Sequence, residues 1–168
     1  MGKAYFDHEP VLRHWCKTIQ PKRVLEWGPG FSTQVFQSEA PDAEIRSIEH
    51  NPAYFDKMRR EHPYAKIEHI PINANAHCLY ATMPISRSWG LFDIVFIDGR
   101  RRMECLMAAC VVVAHHGVII MHDAERKEYQ LRHLITRTIG GDKRTAVMKP
   151  YLTALDVRTQ VGEAMVCT

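Results

Sequence analysis

Residues 23–33 read Arg-Val-Leu-Glu-Trp-Gly-Pro-Gly-Phe-Ser-Thr, and this stretch decides the fold. The apolar run 23–27 predicts a short buried strand, and Gly28-Pro29-Gly30 predicts a tight loop directly after it. Ser32 is suited to cap a helix that runs to about Glu39. The stretch therefore predicts a strand, a glycine loop and a helix, the unit from which doubly wound α/β sheets are built.

Strands alternate with helices on both sides of this unit. Asn51 and Pro52 are suited to the cap and the first position of the helix after the second strand. The alternation predicts an α/β fold, with a doubly wound, mostly parallel Rossmann-like sheet and helices on both faces. The predicted strands are residues 23–27, 44–49, 66–70, 91–97 and 117–121. The predicted helices are residues 10–20, 32–39, 52–61, 100–115 and 124–138.

The last part of the chain predicts a β-rich tail. Residues 144–148, 151–157 and 163–167 each predict a strand, and the last two predict a hairpin. Such a tail would add an antiparallel edge strand to the sheet. A chain of 168 residues fits one domain. We expect an N-terminal helix in 1–21, a ligand-binding core in 22–123 and a C-terminal helix and strands in 124–168.

Composition and charge exclude several classes of protein. Hydrophobic residues make up 46% of the chain and charged residues 24%, which is a globular balance rather than a disordered one. The formal net charge of +3 is too small to predict nucleic-acid binding. The five cysteines form no CxxC pair, which favours free thiols in a reducing compartment over disulfides or zinc. We find no signal-peptide core and no apolar run of membrane length, so we expect a cytoplasmic protein without membrane contact.

Ligands bind such a sheet at the carboxyl ends of its strands, so the residues just past each strand are the candidates for the site. Gly28 and Gly30 allow the backbone to approach a ligand closely, and the helix after them presents free N–H groups. Glu49 ends the second strand, where a carboxylate can accept hydrogen bonds from both ribose hydroxyls. The third glycine of a dinucleotide-binding loop would fall at Thr33, which disfavours an NAD-dependent oxidoreductase.

Four short motifs in a row resemble those of class I S-adenosylmethionine-dependent methyltransferases. Glu26-x-Gly28-x-Gly30 resembles the first motif of that class, and Ser-Ile-Glu49-His resembles its acidic second motif. Residues 92–99 and 117–123 resemble the fourth- and fifth-strand motifs, so the match covers about residues 22–123 in order. Asp-Gly-Arg-x-Arg-x-x-Cys and His-Asp-x-x-Arg-x-x-Tyr, after these strands, resemble little-characterised, small bacterial-type members.

The resemblance implies a site for S-adenosylmethionine, with S-adenosylhomocysteine (SAH) as the product. Glu26 would lie near the amine of the cofactor and Glu49 would hold the ribose. Asn73 and Ala74 would lie beside the adenine, and Asp98 would lie where the cofactor and the acceptor meet. The expected cofactor contacts are Glu26, Gly28, Gly30, Phe31, Ser32, Thr33, Glu49, His50, Asn73, Ala74, Asp98 and Gly99.

Candidate catalytic residues follow the fourth and fifth strands. Asp98 and His122 could each take a proton from the acceptor, since imidazole titrates near neutral pH. His122 could equally be a structural histidine, and Asp123, the third candidate, could simply cap the next helix. Basic side chains here could bind an acidic acceptor or pair with Asp123, and they disfavour a divalent metal. The expected acceptor-binding residues are Arg100, Arg102, Arg126 and Tyr129, and we expect no metal ligands.

Together these features predict a methyltransferase that acts on an oxygen or nitrogen atom of a small molecule or glycan. The alternative is a module that binds S-adenosylmethionine or another nucleotide without turnover. The Asn/Asp-Pro-Pro-Tyr motif of nucleic-acid methyltransferases is not found after strand four, so we do not expect a nucleic-acid acceptor. A short chain could complete its acceptor pocket from a second copy, which makes a homodimer one expectation.

Overall fold

The computed structural model describes residues 7–72 and 79–151. A seven-stranded sheet has the strand order β3-β2-β1-β4-β5-β7-β6, which confirms the predicted doubly wound α/β architecture. The strands are β1 (Arg23–Trp27), β2 (Glu44–Glu49), β3 (Lys66–His69), β4 (Phe92–Ile97), β5 (Val113–Met121), β6 (Thr136–Gly141) and β7 (Ala146–Pro150). The α-helices are α1 (Glu9–Ile19), α2 (Phe31–Glu39), α3 (Pro52–Glu61), α4 (Leu79–Ser86) and α5 (Arg102–Val112).

The first five strands are parallel, and their register brings their carboxyl ends to one edge. Trp27 at the end of β1 pairs with Ile97 at the end of β4, and Ile97 pairs with Met121 at the end of β5. On the other side, Trp27 pairs with Ile48, so that Glu49 ends β2 at the same level. This register places the loops after β1, β2, β4 and β5 side by side.

The edge beyond β5 is antiparallel, as predicted. β7 runs antiparallel to β5 and β6 runs antiparallel to β7, so the two form a hairpin at the end of the sheet. The predicted strand 144–148 corresponds to β7. The predicted strands 151–157 and 163–167 fall on residues that, apart from Tyr151, lie outside the described part of the chain.

Helices cover the two faces of the sheet over separate apolar layers. Leu12 of α1 and Phe36 of α2 are fully buried on one face, where they meet Phe96 of β4. On the other face, α4 and α5 cover a second apolar layer, in which Leu106 of α5 belongs to the same buried cluster as Trp27 of β1. The strands buried between these layers read as continuous apolar runs for that reason. None of the helices in residues 7–72 and 79–151 has the length and apolar character that a membrane crossing requires.

Two predicted helices differ from those in the structure. The helix predicted for 100–115 stops at Val112, and β5 begins at Val113, because the β-branched run 111–113 favours a strand. The helix predicted for 124–138 is a 3₁₀ helix, Lys127–Leu134, followed by β6. Gly140 and Gly141 follow this predicted helix and resemble a signal for its end. In the structure they lie in the hairpin instead, where Gly140 pairs with Val147 and Gly141 with Ala146.

Candidate functional site

A cavity of about 680 Å³ opens where the carboxyl ends of β1, β2 and β4 meet. Ten of its lining residues are among those the sequence predicted for the cofactor or the acceptor. These ten are Gly28, Gly30, Phe31, Ser32, Glu49, His50, Asp98, Gly99, Arg100 and Arg102. The other lining residues are His8, Pro29, Asn51 and Tyr54. The structure thus collects the ends of three strands and the turn before α1 around one space.

The loop after β1 lies directly against the loop after β4. Gly28 has a φ of 86°, and a Cβ atom there would lie 2.9 Å from both the Cα and the N of Gly99. A Cβ on Gly99 would in turn overlap the hydroxyl of Tyr80. Only glycine fits both positions, because each neighbour would meet the added carbon at less than van der Waals distance. This close approach forms the floor of the cavity.

Glu26 lies behind the loop rather than in the cavity. Its side chain is fully buried and accepts hydrogen bonds from the hydroxyls of Ser32, Thr33 (2.7 Å) and Ser47 (2.9 Å). Thr33 also accepts a hydrogen bond from the backbone N–H of Gly30, at 3.0 Å. Burial raises the pKa of Glu26 to about 7, although the three hydroxyls oppose this. Glu26 and Thr33 therefore hold the shape of the loop from beneath it.

Ser32 does not cap α2, which corrects the sequence prediction. The N-cap is Gly30, and α2 begins at Phe31, so that Ser32 lies in the first turn. Its hydroxyl is committed to Glu26 rather than to a backbone N–H of the helix. The buried carboxyl group of Glu26 accounts for the difference, because a polar group away from water needs hydrogen-bond partners.

We expect the buried carboxyl of Glu26 to make stability fall as the pH rises. Its folded pKa of about 7 exceeds the ordinary value of 4.5, so the folded protein keeps a proton that the unfolded chain releases between these values. Folding is therefore stabilised most below pH 4.5, and about 3 kcal/mol of that contribution is lost as the pH rises through 7. Urea unfolding of the wild type and Glu26→Gln between pH 5 and 8 measures this.

Glu26→Gln should show the shallower loss of stability, because the amide does not ionise. Glu61→Gln on the half-exposed end of α3 is the matched control and should follow the wild type. Parallel curves for wild type and Glu26→Gln would contradict the raised pKa.

Glu49 ends β2 with its carboxylate at the wall of the cavity. Its Oε1 atom accepts hydrogen bonds from the backbone N–H groups of His50 (2.8 Å) and Asn51 (2.6 Å). Asn51 is also the N-cap of α3, since its Oδ1 accepts from the backbone N–H of Tyr54 at 3.0 Å. One oxygen fixes the carboxylate, while Oε2 has no hydrogen-bond partner among the described residues. The geometry leaves that oxygen available to hydroxyl groups of a ligand.

Asp98 and His122 form a chain of hydrogen bonds with Asp7. Nδ1 of His122 lies 3.0 Å from Oδ1 of Asp98, and its Nε2 lies 2.9 Å from Oδ1 of Asp7. Burial alone would lower the pKa of His122, but the three nearby carboxylates, Asp98, Asp123 and Asp7, raise it overall. Asp98 lines the cavity and His122 does not, so the histidine holds the aspartate from behind.

The fold resembles that of solved methyltransferase structures. One is a methyltransferase-like protein from Silicibacter pomeroyi, with 16% identity and a TM-score of 0.66 over 96% of this chain and 95% of that one. A second is the SAH-bound methyltransferase PaMTH1 from Podospora anserina, with 14% identity and a TM-score of 0.63 over 86% of this chain and 78% of that one. This chain has the class I methyltransferase fold.

A third such structure carries a metal. The MycE methyltransferase of the mycinamycin pathway, in complex with Mg and SAH, has 20% identity and a TM-score of 0.59 over 87% of this chain and 46% of that one. No protein-family model matches the sequence, and no curated protein matches it. At these identities, the likeness establishes the methyltransferase fold and does not establish an activity.

S-adenosylmethionine fits the residues that this methyltransferase fold brings together. Gly28 and Gly99 leave room where side chains would otherwise fill the floor of the cavity. Glu49 presents a carboxylate oxygen at the end of β2 for the ribose hydroxyls. The adenine contacts predicted for Asn73 and Ala74 lie outside the described residues. A carboxylate that can accept hydrogen bonds from hydroxyl groups, beside a space free of side chains, suits a nucleoside with a polar tail. S-adenosylmethionine is such a molecule.

Asp123 is surrounded by cations and does not line the cavity. Its buried carboxylate contacts Arg102 at 3.2 Å and accepts hydrogen bonds from Arg126 and Arg144. Of Arg100, Arg101 and Arg102, for which pairing with Asp123 was one prediction, only Arg102 makes that contact. Asp123 is not the N-cap of the following helix, because that position belongs to Arg126. Three guanidinium groups leave this carboxylate unsuited to a divalent cation shared with Asp98.

Arg126 and Tyr129 lie outside the cavity, although the sequence placed them at the acceptor. Arg126 donates a hydrogen bond to the carboxylate of Asp123. The guanidinium carbon of Arg102 lies 5.8 Å from the centroid of the Tyr129 ring. Arg100 does line the cavity and is exposed. Only Arg100 and Arg102 of the four expected acceptor residues face the space where an acceptor could bind.

Sequence reasoning missed His8, which is the least expected residue in the cavity. His8 precedes α1, packs 4.8 Å from the ring of His122 and 5.4 Å from that of Phe96, and is 4% exposed. Burial lowers its pKa, which favours the neutral imidazole. Asn51 and Tyr54 were also missed, although their place in the first turn after Glu49 is a usable signal. No such local signal marks His8.

Proposed function

We propose that this protein is an S-adenosylmethionine-dependent methyltransferase that acts on an oxygen or nitrogen atom of a small molecule or glycan. The observation that carries the proposal is the cavity itself, in which the glycine floor, Glu49 and Asp98 meet. Of the three solved structures reported above, one is a methyltransferase-like protein and two are methyltransferases that hold SAH, which supports the cofactor class. The bound cofactor would supply an electrophilic methyl group on a sulfonium.

The residues of the chain would then orient the reactants. Gly28 and Phe31 line the cavity and would border the amino-acid part of the cofactor, and Glu49 would accept hydrogen bonds from the ribose hydroxyls. Positioning of this kind accounts for much of the rate of a transfer between two bound reactants.

Asp98 is the group best placed to accept the proton of the acceptor. Its carboxylate lines the cavity, whereas His122 and Asp123 lie behind it. His122 positions Asp98 through the 3.0 Å hydrogen bond, and Arg102 donates a second one at 2.8 Å. Asp123 acts one step further back, since it holds Arg102. We assign the proton transfer to Asp98 and the positioning to His122 and Asp123.

Arg100 indicates which acceptors fit. Its side chain is exposed at the cavity and forms no ion pair with a described residue. A guanidinium without a protein partner favours a ligand with a carboxylate or phosphate group. We therefore propose an acidic small molecule or glycan as the acceptor.

Calorimetric titration with S-adenosylmethionine and SAH tests the cofactor site. We expect micromolar binding to the wild type and a loss of about 10- to 150-fold in Glu49→Ala, because a hydrogen bond to a charged group contributes about 1.5–3 kcal/mol. Glu61→Ala is the control, since that residue is half-exposed in the last turn of α3. No binding by the folded wild type would overturn the proposal.

A methyl-transfer screen then separates the enzyme from a binding module. Acceptors with and without an acidic group are incubated with methyl-labelled cofactor, and Asp98→Asn is run beside the wild type. Transfer that Asp98→Asn reduces by about 100-fold, within the range for loss of a general base, supports the enzyme. Tight cofactor binding without transfer to any acceptor would favour the non-catalytic module.

A further inference from the structure

We infer that Asp7, His8 and His122 bind a divalent transition-metal ion at the wall of the cavity that faces α1. Their ligand atoms all lie within 4.8 Å of one another, although the chain separates His122 from the other two by more than a hundred residues. Oδ1 of Asp7 lies 2.9 Å from Nε2 of His122 and 3.9 Å from Nδ1 of His8. Two imidazoles and one carboxylate form a common ligand set for such ions.

His8 provides a separate reason to expect a ligand here. The residue is 4% exposed, and neither of its ring nitrogens has a hydrogen-bond partner among the described residues. A buried polar group without a partner is costly, and native proteins rarely leave one so. Because His8 also lines the cavity, a metal ion bound to one of its nitrogens would give it a partner.

The geometry around the three side chains already resembles that of an oriented metal site. Nδ1 of His122 is bonded to Asp98, which turns Nε2 toward Asp7, as carboxylates do behind metal-bound histidines. Nη1 of Arg144 donates to Oδ2 of Asp7 at 2.6 Å, which leaves Oδ1 to face the histidines. The metal would take the place of the hydrogen bond between Oδ1 of Asp7 and Nε2 of His122.

The fold also holds the ligands in place. The backbone carbonyl of His8 accepts the N–H of Leu12 at 3.0 Å, so the histidine is anchored at the start of α1. Metal–ligand distances of about 2.0–2.2 Å would bring the three ligand atoms within about 4 Å of one another, which needs only small side-chain rotations. The site would be rigid on the sheet side and open toward the cavity.

The ligand types select the metal. Imidazole nitrogen favours Zn²⁺, Co²⁺, Ni²⁺ or Fe²⁺, whereas Mg²⁺ and Ca²⁺ prefer oxygen ligands alone. Three protein ligands leave at least one coordination position free, as in catalytic rather than structural sites. That free position would face the cavity beside His8, where an oxygen or nitrogen atom of a small molecule could occupy it. The metal site itself does not depend on the cofactor.

Cobalt titration of the tag-free, chelator-treated full chain tests the site without any cofactor. We expect a visible d–d spectrum that saturates at one Co²⁺ per chain, with displacement by Zn²⁺ and not by millimolar Mg²⁺. His8→Ala and Asp7→Asn should each weaken Co²⁺ binding at least about tenfold. The matched control is His14→Ala, which removes an exposed histidine from the same helix and should bind as the wild type does.

Zn²⁺ should also raise the melting temperature of the wild type and of His14→Ala, and not that of His8→Ala. Circular dichroism and SAH titration of His8→Ala distinguish a lost metal ligand from a lost fold. Equal Co²⁺ affinity in His8→Ala and His14→Ala would overturn the inference, as would a spectrum dominated by thiolate charge transfer or no saturable spectrum. Failure of the methyltransferase proposal would appear separately, in the cofactor titration without metal.

Discussion

Gly28→Ala is expected to lower the free energy of unfolding by about 3 to 4 kcal/mol and to weaken cofactor binding at least about 100-fold. The added Cβ would lie 2.9 Å from Cα and N of Gly99 and 3.1 Å from the carbonyl carbon of Asp98. All three are backbone atoms, so they cannot rotate away as a side chain would. The φ of 86° adds strain for any residue with a Cβ.

Relief of this overlap would separate β1 from β4 at the cavity. Asp98 donates its backbone N–H to the carbonyl of Trp27 at 3.0 Å, and Gly28 donates to the carbonyl of Ile48 at 3.0 Å. These bonds join the ends of β1, β2 and β4. A displacement there moves Glu49 and Asp98 together, which is why we expect both stability and binding to fall.

Gly30→Ala is the matched control in the same loop. The backbone of Gly30 is extended, and an added Cβ would lie 3.2 Å from the hydroxyl of Tyr54, the end of a side chain that can move. We expect a stability loss below about 1 kcal/mol. Urea unfolding and calorimetry of the two variants measure both effects. Equal losses of stability in Gly28→Ala and Gly30→Ala would contradict the close contact between the loops.

The elements that sequence alone predicted best are those fixed by local chemistry. β1 and β2 have the predicted bounds: a short, mainly apolar run ends at the glycine loop, and the stretch with Ile45 and Ile48 ends at Glu49, just before the helix start signals. α3 was predicted well for a similar reason, since Asn51 and Pro52 are local start signals. The loops after these strands then had to meet, because parallel strands share one carboxyl edge.

Tertiary contacts decided the features that the sequence did not reveal. Ser32 looks like a helix cap, but its hydroxyl bonds to the buried Glu26. Gly140 and Gly141 resemble a helix stop, but their backbone pairs with β7. His8 reaches the cavity only because α1 packs over β4, an arrangement set by contacts more than eighty residues apart. Patterns within a short window carry no information on such contacts.

The clustering of charge after β4 and β5 also depends on the fold. Arg100, Arg101 and Arg102 look equivalent in sequence, yet the structure gives them different surroundings. Arg100 faces the cavity, Arg101 pairs with the exposed Glu104 at 2.8 Å, and the side chain of Arg102 is only 10% exposed. The backbone at Arg101 is in the left-handed conformation, with a φ of 52°. This turn of the backbone lets the side chains of Arg100, Arg101 and Arg102 point in different directions. One of the three therefore faces the cavity, and another connects the loops around it.

Arg102→Ala is expected to lower the free energy of unfolding by about 3 to 5 kcal/mol, the range for removal of one partner from a buried ion pair. The guanidinium donates to Oδ1 of Asp98 at 2.8 Å and to the carbonyls of Gly99, at 3.1 Å, and His122. It also lies 3.2 Å from the carboxylate of Asp123. Without it, the loops after β4 and β5 keep the His122–Asp98 hydrogen bond but lose the guanidinium that contacts Asp98, Gly99, His122 and Asp123 together. Arg102→Lys should recover only part of the loss, since an ammonium cannot match a planar fork of five donors.

Arg101→Ala is the control for this pair of variants. Its ion pair with Glu104 is exposed, and such pairs contribute at most about 1 kcal/mol. Urea unfolding at pH 7 should therefore place Arg101→Ala within about 1 kcal/mol of the wild type, with Arg102→Lys between it and Arg102→Ala. Because Arg102 holds Asp98, the Arg102→Lys variant should also lose methyl transfer while it keeps SAH binding. If Arg102→Ala were as stable as Arg101→Ala, the remaining contacts between the loops after β4 and β5, such as the hydrogen bond from His122 to Asp98, would be sufficient to hold them, and Arg102 would not stabilise this part of the fold.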